Sequence, residues 1–271
     1  MSTVSTAVGA DQHAVDHPLI EIDRVEHRYI TDSGDVVHAL AETSLDIPRG
    51  QFVCVVGPSG CGKTTLLKQI AGFIKPTSGE VRVAGEHVTG PSAHRGVVFQ
   101  HPNLYPWFTV AENAAFGLRL QGVGKRERLD QAQHQLEQVG LGEFANSKPY
   151  ELSGGMQQRA QIARVLTTDP EVILMDEPFG ALDALTRERL QADLLQLQRR
   201  TAKTIFFITH SVEEAVFLGD RVVVMGARPG HVVLDQPIEL SAHAGHQLGP
   251  EMRSLPEFIE LRDRIAGAIE H

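Results

Sequence analysis

Gln51-Phe-Val-Cys-Val-Val56, then Gly57-Pro-Ser-Gly-Cys-Gly-Lys-Thr64, then Thr65-Leu-Leu-Lys-Gln-Ile-Ala71 is the stretch that decides the fold. The first piece is a valine-rich apolar run of strand length, as expected of a central strand covered on both faces. The last has helical spacing. Between them, glycines let backbone N–H groups turn inward around an anion, and the start of the following helix adds positive potential. A strand that passes through Gly-x-x-x-x-Gly-Lys-Thr into a helix is the arrangement that cradles nucleotide phosphates. Gly57, Pro58, Ser59, Gly60, Cys61, Gly62 and Thr65 are expected to line the phosphates. Lys63 is expected to neutralise the β- and γ-phosphates of ATP, and Thr64 to set its hydroxyl on Mg²⁺.

Outward from this loop, short strands are expected at Ile20-Glu-Ile22 and Ser44-Leu-Asp-Ile47 on the N-terminal side. On the C-terminal side they are expected at Gly79-Glu-Val-Arg-Val83, Gly96-Val-Val-Phe99, Val172-Ile-Leu-Met175, Thr204-Ile-Phe-Phe-Ile-Thr209 and Val222-Val-Val-Met225. Leu129, Ala132, Leu136 and Val139 recur at intervals of three and four, which predicts a helix over 125–139 with one apolar stripe. Further helices are predicted over 160–166 and over 187–200, the latter with Leu190, Leu194 and Leu197 on one face. Buried strands alternating with amphipathic helices point to a parallel α/β sheet, interrupted by a helical insert.

A phosphate loop needs a carboxylate site at the end of a neighbouring strand. Val172-Ile-Leu-Met-Asp-Glu177 supplies it, with Asp176 for the metal and Glu177, one residue on, as general base. Leu152-Ser-Gly-Gly-Met-Gln-Gln-Arg159 forms a second anion site: Ser153 is a good N-cap, and Gly154 and Gly155 leave a helix start open. One ATP cannot use both sites in an obvious way. The economical arrangement is a homodimer in which each chain's Ser-Gly-Gly closes on the ATP held by its partner.

The composition bounds the partners. With 25 Lys+Arg against 34 Asp+Glu the formal net charge is −9, the wrong sign for a general nucleic-acid binder, which needs a basic surface to displace counterions. Cys54 and Cys61 are the two cysteines, too close on a strand and its loop to bridge without distortion, which fits a reducing compartment. No run reaches the roughly 20 apolar residues of a membrane span. Residues 1–18 read as a flexible arm without the features of a signal peptide or anchor, and 241–271 as a surface-hugging C-terminal tail ending in a helix from Pro256.

At this point the chain resembles the ATP-binding subunits of ABC transporters from about Leu19 to Arg228. Besides the motifs above, Gln100 after Val97-Val-Phe99 matches the family's Q-loop, Ala181-Leu-Asp183 its D-loop and His210 its switch histidine. The resemblance implies a P-loop NTPase (RecA-like) core over 19–99 and 160–240, with an antiparallel β edge, and a helical subdomain over 100–159. It implies that Gln100 touches Mg²⁺ or water and couples to the membrane subunit, and that His210 bonds the γ-phosphate. It also implies that Ser153, Gly154, Gly155, Gln158 and Asp183 reach the nucleotide across the dimer. Tyr29 stands where the family stacks an aromatic ring on adenine; packing at a sheet edge is the alternative. Cys61 reads as a small loop filler. Trp107 reads either as a grip on the membrane partner or as a core residue of the helical insert.

Gln100-His-Pro-Asn-Leu-Tyr-Pro-Trp107, Asp176-Glu-Pro-Phe-Gly-Ala-Leu-Asp183, Ala227-Arg-Pro-Gly230 and Leu255-Pro-Glu-Phe-Ile-Glu-Leu-Arg262 are similar to the nitrate, sulfonate and taurine importer group. Ala115-Phe-Gly-Leu-Arg-Leu-Gln-Gly122 is most similar to the taurine ATPases of that group, whereas His101-Pro102 falls where the group varies. The resemblance implies an ATPase that is peripheral at the cytoplasmic face of the cell membrane. Its partners are a second copy, two transmembrane permease subunits and, indirectly, a periplasmic or lipid-anchored substrate-binding protein. A soluble non-transport ABC ATPase is the remaining alternative, and it is expected to carry a second cassette, a long insertion or a basic face.

Overall fold

Strands β3 (Phe52–Val56), β7 (Val172–Asp176) and β8 (Thr204–Ile208) are almost wholly buried, and alternate residues along them divide between two cores. Phe52, Cys54, Val56, Ile173, Met175, Ile205 and Phe207 face one way. Val53, Val55, Val172, Leu174, Phe206 and Ile208 face the other. Period-two alternation with both faces apolar is what a sheet needs when it is covered on both sides.

The computed structural model describes residues 18–180, 182–240 and 250–270. The main sheet has the order β10 (His231–Pro237), β9 (Arg221–Gly226), β3, β8, β7, β6 (Arg95–Val98). It is parallel except where β10 runs against β9. A second, antiparallel sheet has the order β2 (Val36–Ile47), β1 (Ile20–Ile30), β4 (Ser78–Val83), β5 (Glu86–His87). Its Ile20, Ile22, Leu45, Ile47 and Val81 join the second core face around α1 (Lys63–Ala71).

On the first face lie α5 (Gly154–Leu166), α6 (Ala184–Thr201), α7 (Val212–Leu218) and α8 (Pro256–Glu270). Phe207 packs between Phe52 and Phe179, with ring centroids 5.8 Å away on each side; truncating such a buried ring to alanine costs about 3–5 kcal/mol. A third core belongs to the insert. Val110 and Ala114 of α2 (Val110–Ala114) meet Ala132 and Leu136 of α4 (Lys125–Gln138) and Ala160 and Ala163 of α5. The short α3 (Phe116–Leu120) bridges α2 and α4.

Several elements differ from the sequence reading. β1 and β2 are a long hairpin rather than two short strands, because bulges between Ile22 and Arg28 of β1 shift its register against β2 and let the pairing continue through polar residues that break the alternation. α5 starts at Gly154, six residues earlier than expected, since Ser153 caps it directly, accepting from the Met156 amide at 3.3 Å. The C-terminal segment does not merely hug the surface: Met252, Phe258 and Ile265 are buried in the first core. The arm read over 1–18 lies outside the described residues except for Pro18, as do 241–249 and Ala181 of the D-loop match.

Candidate nucleotide site

The loop between β3 and α1 is shaped by two glycines. Gly57 has φ +150, and a Cβ there would stand 2.2 Å from the Met225 carbonyl oxygen; Gly62 opens α1 at φ +89. Both demand the absence of a side chain. Lys63 is buried, and its ammonium donates to the carbonyls of Gly57 (2.8 Å) and Pro58 (3.0 Å), with Cys61 Sγ at 3.6 Å. The cation thus sits inside the ring of backbone it would share with phosphate oxygens, which are stronger acceptors than neutral carbonyls.

The carboxylates reach this loop from one strand farther away than expected. β8 separates β7 from β3, so the strand bearing Asp176 is the next but one. The three strand ends are tied together, with Thr209 N donating to Val55 O (3.2 Å) and Glu177 N to Ile208 O (3.0 Å). Thr64, one residue into α1, spans the gap: its hydroxyl donates to Asp176 Oδ1 at 3.2 Å. Burial pushes the Asp176 carboxyl above its ordinary pKa, opposed by the Thr64 hydrogen bond and by Lys68 and Lys63 nearby. Two hard oxygen donors, one of them a half-buried carboxylate, fit Mg²⁺.

Glu177 sits just beyond, at φ +45, a left-handed conformation that costs a non-glycine residue of order 1 kcal/mol or more and is held here by the strand-end hydrogen bond. Its Oε2 is 3.5 Å from His210 Nδ1. Glu177, Gly180, Thr209, His210 and Ser211 line one small cavity. Gln100 approaches the same turn, its Nε2 being 3.9 Å from where a Gly180 Cβ would stand. With its amide oriented to pair both groups, Gln161 of α5 accepts from Phe99 N (2.7 Å) and donates to Phe99 O (3.2 Å), which anchors the chain just before Gln100.

Tyr29 is near the loop rather than remote from it, since its hydroxyl shares a 3.1 Å hydrogen bond with Thr65 Oγ1. Its ring packs edge-on to His27 and the residue stays 39% exposed. Pro58, Ser59 and Gly60 complete the turn, and nothing lies within 4 Å of a Cβ built on Gly60.

The structure does not bring Ser153 and its glycines onto this loop. Among the described residues no hydrogen bond joins residues 153–155 to residues 57–64. A Cβ on Gly155 would meet Thr186 Cγ2 at 2.6 Å, whereas Gly154 faces open space. Gln158 is buried, with its Nε2 lacking a partner. Asp183 caps α6, accepting from Thr186 N at 3.0 Å, and that backbone bond holds its carboxyl below the usual range. Trp107 is 66% exposed, in a cluster with Tyr105, Phe108 and Phe116, which removes the reading of it as a core residue.

Sequence reasoning missed Glu214. Four residues after His210 and on the first turn of α7, it is buried and lines the same cavity as Glu177 and His210. The signal was available in Ser211-Val-Glu-Glu214, a capping pattern that opens a helix.

The profile that describes the ABC transporter family matches residues 40–180, from within β2 through the phosphate loop to the turn after Glu177. The chain belongs to the ABC transporter family. Its relatives within the family are close over nearly their whole length. It is 47% identical over 250 residues to the taurine import ATP-binding protein TauB of Roseobacter denitrificans, covering 92% of this chain and 93% of the relative. It is 47% identical over 255 residues to the nitrate import ATP-binding protein NrtD of a Synechocystis species, covering 92% and 94%. Among solved ABC structures, a dimeric ATP-binding cassette in a post-hydrolysis state, bound to ADP and Pi, superposes with TM-score 0.73 at 33% identity over 82% of this chain and 99% of that one. The core is therefore the P-loop NTPase fold with the antiparallel edge and helical insert of an ABC cassette. Among the described residues no helix is long and apolar enough to cross a membrane.

Proposed function

We propose that this chain is the ATP-hydrolysing subunit of an ABC importer for taurine or a related sulfonate, acting as a homodimer at the cytoplasmic face of the membrane. The observation that carries the chemistry is the convergence of three strand ends, which gathers Lys63, Thr64, Asp176, Glu177 and His210 around one loop. Likeness to the TauB protein over 92% of the chain supports the substrate. The similar match to NrtD favours nitrate as the second reading.

In this reading ATP lies with its adenine against Tyr29 and its phosphates in the loop from Gly57 to Thr65. Lys63 turns from backbone carbonyls to the β- and γ-phosphates and neutralises charge there. Mg²⁺, held by Thr64, Asp176 and Gln100, supplies further neutralisation of the phosphate oxygens when bound. Glu177 takes the proton from the attacking water, and His210 donates to the γ-phosphate. Ser153, Gly154, Gly155 and Gln158 of the second copy close over the γ-phosphate, with Asp183 at the seam.

Closure is a population shift driven by ligand contacts that exist only in the closed dimer. Its motion passes to two permease subunits through the exposed aromatic cluster around Trp107 and through Gln100. A periplasmic or lipid-anchored binding protein would deliver the substrate to those permeases, so this chain need not touch it. The test is uptake of labelled taurine by cells carrying the intact gene or Glu177→Gln, with nitrate and alkanesulfonates as competitors. Loss of taurine uptake in the variant is expected. Unchanged taurine uptake, with nitrate uptake lost in the variant when nitrate is then supplied as the labelled substrate, would move the substrate to the second reading.

A further inference from the structure

Beyond the catalytic groups, a line of polar side chains runs from the C-terminal segment to the loop that carries His210. Arg253, in the 3₁₀ turn Pro250–Ser254, donates from Nη2 to Gln191 Oε1 at 2.8 Å. Gln191, buried on α6, donates from Nε2 to Glu214 Oε1 at 2.7 Å. Burial pushes the Glu214 carboxyl above its ordinary pKa, and hydrogen bonds from the Thr209 and Gln191 side chains, with Arg187 and His210 nearby, oppose that shift and favour the charged form. The backbone continues the line, because Glu214 N donates to Ser211 Oγ (3.2 Å) and Ser211 N to Thr209 Oγ1 (3.0 Å). Glu214 therefore grips the residues on both sides of His210.

The direction of the Gln191 amide is the hinge of the argument. Either end of a glutamine amide can face a carboxylate, but only the NH₂ end attracts it. Arg253 can only donate, so it holds the Gln191 oxygen toward itself and turns the NH₂ onto Glu214. Burial makes this matter, since an ionised carboxylate in such a place costs heavily unless each oxygen is bonded. Arg253 is itself fixed by an ion pair to Glu213 (2.7 Å) and by stacking on Phe217 at 4.5 Å. The segment does not depend on Arg253 for anchorage, because Met252, Phe258 and Ile265 are buried in the core.

We infer that Arg253, acting through Gln191 and Glu214, is a positioning residue that sets the geometry of the His210 loop and hence the turnover of the site. This rests on the reading of His210 as a γ-phosphate contact. The C-terminal segment thereby becomes a part of the machine, although it lies outside the residues matched by the family profile.

The experiment is steady-state ATP turnover of the purified full-length protein, with melting temperature measured alongside. Arg253→Ala should lower kcat roughly 3- to 10-fold with KM for ATP little changed, the size expected of coupled neighbours in a polar network. Arg253→Lys, which keeps one donor, should recover part of the loss. The double variant Arg253→Ala with Gln191→Ala should be no slower than Gln191→Ala alone, because the line is then already cut. An unchanged kcat in Arg253→Ala, even with a lower melting temperature, would overturn the inference, as would multiplicative losses in the double variant. His210→Ala is measured in the same series. A large loss there with normal turnover in Arg253→Ala rejects this inference alone, whereas normal turnover in His210→Ala rejects the reading of the site on which it rests.

Discussion

Thr64 Oγ1 donates to Asp176 Oδ1 across 3.2 Å, joining the start of α1 to the end of β7 although β8 runs between β7 and the strand that feeds α1. The hydroxyl and the carboxylate are thereby held side by side, ahead of any cation. Pre-formed donor sets of this kind spare the ordering cost when the ligand arrives.

The same carboxylate should cost the empty protein stability. Burial raises the Asp176 pKa above 3.8, so the folded chain binds that proton more tightly than the unfolded chain does. Stability is therefore lost as pH rises from the unfolded value through the folded one, and remains lost at neutral pH. Asp176→Asn should raise the melting temperature of the nucleotide-free protein at pH 7 while abolishing ATP turnover. A lower melting temperature in Asp176→Asn would show that the carboxylate is a structural asset instead.

Lys63 is expected to matter for ATP and far less for the fold. Its bonds in the free protein are to two carbonyls of its own loop, and neutral acceptors of that kind give a net gain of about 1.5–3 kcal/mol even to a charged donor. Lys63→Ala should weaken ATP binding at least tenfold, read by equilibrium titration with a fluorescent ATP analogue, while circular dichroism stays that of the parent. Parent-like affinity would remove the ammonium from the phosphates.

The two glycines after Ser153 should respond differently to the same change. At Gly155 an added Cβ meets Thr186 Cγ2 at 2.6 Å, so Gly155→Ala should lower the melting temperature. At Gly154 it meets nothing within 4 Å among the described residues; Gly154→Ala should fold normally yet slow turnover, because in the proposed homodimer that space is filled by the second copy. Normal turnover in Gly154→Ala would mean that no partner closes there.

Much of this was legible in the sequence where a single local rule decides the outcome. Gln51 to Ala71 reads correctly as strand, loop and helix because apolar run, glycine spacing and helical period agree. The stripe Leu129, Ala132, Leu136 gives α4, which the structure bounds at Lys125 and Gln138. Pairings between distant strands were not legible. Nothing local says that β8 slips between β3 and β7, since all three are equally apolar. The short helices α2 and α7 escaped a periodicity search, being 5 and 7 residues long, although their caps at Thr109 and Ser211 were there to be read. Glu214 was missed for a related reason: an acidic residue in a first helical turn is ordinarily solvated, and only the packing of α6 and the segment near Arg253 buries this one.

ATP turnover of the purified protein beside Glu177→Gln tests the central claim most directly. Glu177 is in contact with His210 and holds a left-handed backbone at the end of β7, and a general base in that position contributes roughly 10²–10⁴-fold. The variant should lose turnover by that factor, keep its affinity for ATP and accumulate as an ATP-bound dimer in size-exclusion chromatography. A variant that hydrolyses ATP at the parent rate would contradict the assignment of Glu177 as the base.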